Sequence, residues 1–189
     1  MPLLEKLGLK EKPGKPQETI SKLLGALNAL ELGDRDSERN LANVARYLSF
    51  LKFHLFGDQE HEVTKEQVLE LSRELMHTDL LYLLVKHLAL LDFESRKDAA
   101  QCFGATVRIR DSEDRSPGAQ YVLQHPYIIS KLFHGYVLTW DSQLHRVLLC
   151  LHVIMRRFWH SCCRYDEPAI ALNCGSMLRD CIRDESLAK

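Results

Sequence analysis

Four side chains able to hold a metal or exchange electrons crowd one stretch of the chain: His152, His160, Cys162 and Cys163. A structural zinc site takes four ligands at tetrahedral corners and commonly draws a pair of them from a Cys-x-x-Cys turn. Here the two cysteines are adjacent and no Cys-x-x-Cys occurs anywhere, so the pattern reads as incidental thiols. A second pattern, Asp34, Asp36 and Glu38, falls at positions 1, 3 and 5 of a calcium loop. The loop needs glycine at position 6 for its sharp turn and a bidentate glutamate at position 12, and it meets Arg39 and Ala45 instead. A capped, solvated helix start is the better reading. The nine histidines are scattered, with His54, His77, His87 and His134 on or at the ends of helical stretches. No nucleophile elbow, phosphate loop, kinase catalytic loop or His-Glu-x-x-His is present. The chain is therefore expected to be no enzyme, with no catalytic residue, no metal ligand and no cofactor. One charged group remains: Glu94, Arg96, Lys97 and Asp98 carry both signs within a turn, where i,i+3 and i,i+4 partners can pair. It is either a solvated helix start, or a contact ridge or inter-repeat salt bridge. Arg156 and Arg157 form the only compact basic spot, too few to track phosphates.

These residues sit in a chain of 189 residues, 46% hydrophobic and 27% charged, with a net charge of -1. Such a balance offers no electrostatic footprint for nucleic acid or an acidic membrane. The apolar start of the chain is broken by Glu5 and Lys6 before a signal sequence can form, and no apolar run is long enough to span a membrane. Six cysteines at irregular spacing fit reduced, packed thiols, and the expected location is the cytoplasm.

The periodicity is helical throughout. Pro16 can open a helix carrying Ile20, Leu23, Leu24, Leu27 and Leu30, ended by Gly33. The next carries Leu41, Val44, Ala45, Leu48, Leu51 and Leu55 and closes at Gly57, a left-handed C-terminal position. Thr64 and Gln67 make a capping box ahead of Val68, Leu71 and Leu75. Thr78 or Asp79 caps LLYLLVKHLALL, which is apolar nearly all round and so expected to be buried. Asp92 caps a helix with Phe93, Ala99, Ala100, Phe103 and Val107; Asp111 to Ser116 is a charged loop; Pro117 and Pro126 open two short helices, the second ending at Gly135. From Pro168, Ile170, Leu172, Met177, Leu178, Cys181 and Ile182 make apolar faces, while Arg179, Asp180, Arg183 and Asp184 make polar ones. One long and two short helices within about 44 residues suit an armadillo-type unit, which must stack on its neighbours to bury its apolar face.

Two stretches carry a family resemblance. Residues 79–103 match at Asp92, Phe93, Glu94, Arg96, Lys97, Asp98, Ala100, Gln101 and Phe103, and the closing stretch matches at Pro168, Ile170 to Gly175, Met177 to Arg179, Cys181, Ile182 and Leu187 to Lys189. Both resemble the calcium-binding protein 39 family, the helical-repeat scaffolds of the liver kinase B pathway; Asp180 stands where the family usually has Glu. The resemblance implies an all-α, armadillo-like solenoid. It implies a non-catalytic scaffold that binds and activates a STE20-related pseudokinase or a sterile-20-type kinase in signalling. The charges of the matched helices, Arg96, Lys97, Arg179 and Arg183, are the expected partner-binding residues, read as exposed. The family pocket for a Trp-Glu-Phe tail lies in later repeats.

Two departures qualify this. In the family the final motif follows the Gly-Tyr pair, here Gly135-Tyr136, after a couple of residues; here residues 137–165 intervene, holding both tryptophans and three cysteines. The expected organisation is a mobile lead-in over 1–16, helical repeats over 17–136, an atypical inserted helical segment over 137–165 and the start of a further repeat over 166–189, truncated after the first repeats. The insertion is expected to displace the last helix from its predecessor. Retained intron sequence and a genuine extra helix (stripe Leu144, Val147, Leu148, Leu151) both account for it. Two other functional readings stand beside the scaffold: a structural fragment without autonomous binding, and a helical adaptor unrelated to kinases.

Overall fold

A computed structural model describes residues 14–31, 37–58, 60–137 and 168–184. The chain folds as α1 (Pro16–Glu31), α2 (Ser37–Phe56), α3 (Lys65–Met76), α4 (Leu80–His87), a 3-10 turn (Leu88–Leu90), α5 (Phe93–Arg108), α6 (Pro117–Gln124), α7 (Tyr127–Val137) and α8 (Pro168–Ile182). Among the described residues all regular structure is helical, so the protein is an all-α helical-repeat solenoid of the armadillo-like kind. The expected metal cluster around His152, the calcium register at Asp34 and Asp36, and residues 138–165 of the expected insertion lie outside the described residues, as do residues 1–13 of the expected lead-in.

Local chemistry sets most boundaries. Gln67 N donates to Thr64 Oγ1 (3.3 Å) and Thr64 N donates to Gln67 Oε1 (2.9 Å), so both halves of the capping box are made. Asp92 accepts from Ser95 N (2.9 Å) and Ser95 Oγ (2.8 Å) at the head of α5. Gly57 has φ 67°, a conformation that strains any side chain, and it turns the chain sharply out of α2. At α4 it is Thr78 Oγ1 that accepts from Leu80 N, at 3.4 Å, while Asp79 makes no side-chain cap. Helix α7 begins one residue after Pro126 and runs past Gly135 to Val137.

Packing reveals the repeat. Helices α3, α4 and α5 form one three-helix unit, and α6, α7 and α8 the next; α1 and α2 precede them. Each helix packs on its counterpart: α1 on α4 and α4 on α7, α2 on α5 and α5 on α8, α3 on α6. A single core runs through these contacts and includes Leu23, Leu48, Leu84, Phe103, Leu132 and Met177. Burying each such side chain is worth about 1.5–3 kcal/mol, which none of the units could gather alone.

Helix α8 is not displaced. It packs directly on α7 within its unit and on α5 in the preceding one. The second helices start 47 residues apart, at Leu80 and Tyr127, whereas the third helices start 75 apart, at Phe93 and Pro168. The additional chain length therefore falls between Val137 and Pro168, and α8 holds the third-helix position despite it. It does so because its contact faces are supplied by α5 and α7, not by the connection.

Candidate interaction surface

Helices α2, α5 and α8 form a ladder, and its rungs are tied by charge. Lys52 on α2 reaches Asp98 on α5 at 2.6 Å. On the opposite flank of α5, Arg108 binds Asp180 of α8 at 2.9 Å, and Arg110, just beyond the helix, binds Asp184 at 3.0 Å. Asp184, just past the end of α8, thus meets Arg110, just past the end of α5, so the two helices run in the same sense. Gly104 allows the close approach: a side chain there would collide with the Asp180 carboxylate.

The solvent-facing stripe of α5 lies between those flanks. At 3.6 residues per turn, Glu94, Lys97, Gln101 and Arg108 fall on one side, opposite Ala99, Phe103 and Val107 in the core. The matching stripe of α8 carries Leu172, Ser176, Arg179 and Arg183, with Ile182 at its edge. Leu172 is 74% exposed and Ile182 59%. Lys97 is half exposed and lies 3.6 Å from Glu94, and Arg179 donates to Ser176 Oγ at 3.1 Å. The carboxylates of Asp180 and Asp184 are buried against their arginines, so the open surface of the ridge carries a net positive charge and apolar side chains, with Glu94 beside Lys97 as its exposed acid.

Lys97, Arg179 and Arg183 thus share the α5–α8 ridge. Arg96 does not: it is 4% exposed, on the inward side of α5 with Phe103, where its surroundings engage it. The expectation of an exposed Arg96 is corrected, because the helical phase of α5 turns it inward by about 100° from Lys97. Asp180 and Asp184 are also turned inward. They read only as part of a polar face, and they form the seam with α5. Sequence reasoning missed Arg108, Arg110 and Gly104; the available signals were a mid-helix glycine and two acidic residues four apart at the end of α8.

Nucleophilic chemistry is not favoured at the described thiols. Burial pushes Cys174 up to about 11 and, with Asp180 and Asp184 beside it, Cys181 up to about 12. Cys102 is raised as well, chiefly by burial. Among the described residues no three His, Cys, Asp or Glu side chains gather to hold a metal ion, and no helix is long and apolar enough to cross a membrane.

Comparison with known proteins places this geometry. The family model described as Mo25-like matches residues 7–189. A human protein named calcium-binding protein 39-like is 34% identical over 174 residues, covering 92% of this chain and 43% of the relative. The degreening-related dee76 protein of Auxenochlorella protothecoides is 34% identical over 152 residues, 80% of this chain and 38% of the relative. A Mo25-like protein of Schizosaccharomyces pombe is 30% identical over 177 residues, 94% of this chain and 44% of the relative. The chain spans less than half the length of these relatives. A match running almost from end to end, on a ladder of stacked three-helix units, leads to one conclusion: the chain belongs to the Mo25-like family.

Proposed function

We propose that the chain is the repeat portion of a non-catalytic, cytoplasmic adaptor whose α5–α8 ridge engages a kinase-like partner. The partner class is a STE20-related pseudokinase or a sterile-20-type kinase. One observation carries this reading: stacking of α5 and α8 in the same sense makes two solvent stripes into one continuous surface, with Lys97, Arg179 and Arg183 open on it and the seam acids withdrawn. The partner class is what the resemblance to the calcium-binding protein 39 family implies, and membership of the Mo25-like family supports it.

The mechanism is stabilisation of one existing state. A kinase fold exchanges between active-like and inactive arrangements, and an adaptor that binds the active-like one more tightly raises its population. The gain equals the difference in affinity for the two states; a ridge that gripped both equally would activate nothing. Rim charges of this kind act mainly on the association rate and its salt dependence.

The test is a pull-down with a sterile-20-type kinase and with the pseudokinase. Retention is expected for the wild-type chain. Reversal of the ridge, Lys97→Glu with Arg179→Glu and Arg183→Glu, is expected to weaken it at least tenfold, read by surface plasmon resonance at two salt concentrations. A chain that is folded by circular dichroism yet retains neither partner removes the proposal. Helical signal without a cooperative melt favours a structural fragment instead.

A further inference from the structure

At the far end of the molecule from α8, the start of α1, the end of α2 and the face of α3 enclose a cleft of about 320 Å³. Its apolar floor includes Phe53 and Leu71, and its rim holds Glu62, Glu70 and Glu74, with no lysine or arginine among the lining residues. Glu74 accepts from Gln17 Nε2 at 2.5 Å. No cation among the described residues pairs with Glu62 or Glu70.

The walls are held in place before any ligand arrives. Gly57 turns the chain back, Asp58 N donates to His61 O at 2.9 Å, and Asp58 Oδ1 accepts from Glu60 N and His61 N. The capping box at Thr64 then starts α3, which carries Glu70, Leu71 and Glu74. His54 brings no opposing charge at neutral pH, because burial holds its pKa below the ordinary 6.5.

We propose that this cleft docks a basic segment of a partner protein, seating an arginine or lysine stem on Phe53 and Leu71 with its cationic head between Glu62 and Glu70. Two features argue for this occupant. An aromatic floor with uncompensated carboxylates above it complements a long aliphatic stem ending in positive charge. The rigid turn at Gly57 and Asp58 means that little ordering is needed on binding. The site is separate from the α5–α8 ridge, so either proposal can fail without the other.

Fluorescence anisotropy on the full chain tests it, with fluorescein-labelled (Arg-Leu)3 and (Glu-Leu)3 peptides as probes. The basic peptide is expected to bind saturably and more weakly as salt rises. The acidic peptide is expected not to bind. Glu62→Gln with Glu70→Gln is expected to lower affinity at least tenfold, and Glu113→Gln, on a remote turn, to leave it unchanged. Equal affinity in the wild type and the double variant overturns the proposal, as does equal binding of both peptides. So does a tenfold gain in affinity from Lys6→Gln, Lys10→Gln and Lys12→Gln together, which would make the chain's own leader the occupant.

Discussion

Arg108 and Asp180 show how unequally two partners share one ion pair. The Asp180 side chain is buried, while that of Arg108 is 49% exposed. Removing the arginine strands a buried carboxylate; removing the carboxylate leaves a guanidinium that can turn to water. Arg108→Ala is therefore expected to destabilise by about 2–3 kcal/mol and Asp180→Asn by about 1 kcal/mol, compared by urea denaturation. A larger loss in Asp180→Asn would show that the pair is not what holds α8 to α5. Asp92 gives a pH signature. Burial pushes its carboxyl up, but bonds donated by Ser95 N, Ser95 Oγ and Glu94 N outweigh this and hold it below the ordinary 3.8. A depressed folded pKa gives stability that is complete above the unfolded value and lost as pH falls through the folded one. Asp92→Ala should lower stability by about 1 kcal/mol at pH 7. In thermal melts, the gap between wild type and variant should narrow as pH drops below 3.8.

Among the elements, α8 is the informative one. Its chain connection from α7 is longer than that of the preceding unit, where five residues, Leu88 to Asp92, join α4 to α5. Yet α8 packs on the same two kinds of neighbour as its counterpart α5. Loop closure varies only slowly with loop length, so the connection governs placement far less than the faces do. Deleting residues 138–165, which leaves Asp166 and Glu167 to join Val137 to Pro168, is expected to keep a cooperative melt with the midpoint lowered by no more than a few degrees. Loss of cooperativity would mean that the intervening residues belong to the core. The caps at Thr64 and Asp92 and the turn at Gly57 were legible in the sequence, because each depends on residues within four positions of it. The outward Leu172 and Ile182 were not legible: periodicity marks an apolar residue but not which flank a neighbour covers.

At the scale of the molecule, stability should follow the ladder. Helix α5 is packed by α2 on one flank and α8 on the other, with α6 also against it, whereas among the described residues α8 meets α5 and α7, and Ile182 at its outer edge is exposed. In a repeat array each element draws its protection from its neighbours. Amide hydrogen exchange is expected to be slowest in α5, around Phe103 to Val107, and at least tenfold faster in the last turn of α8. Equal protection in both would argue against nearest-neighbour stacking. The same arrangement explains how one chain can offer two unrelated surfaces, a basic ridge along α5 and α8 and an acidic cleft beyond α1.

By itself, the sequence determined that this chain is helical, where most helices begin, and to which family its two motif stretches point, because caps, turns and the 3.6-residue period act over short distances. Tertiary structure alone decided which charges face inward. Lys97 and Arg96 are neighbours in one motif, yet one is on the open ridge and the other is buried. Asp180 and Asp184 were legible only as polar residues, and stacking made them the seam between two units. The acidic cleft likewise draws on three elements that no sequence window contains. The physical reason is common to all three: burial and pairing are settled by the neighbouring helix, and its identity follows from stacking the whole array.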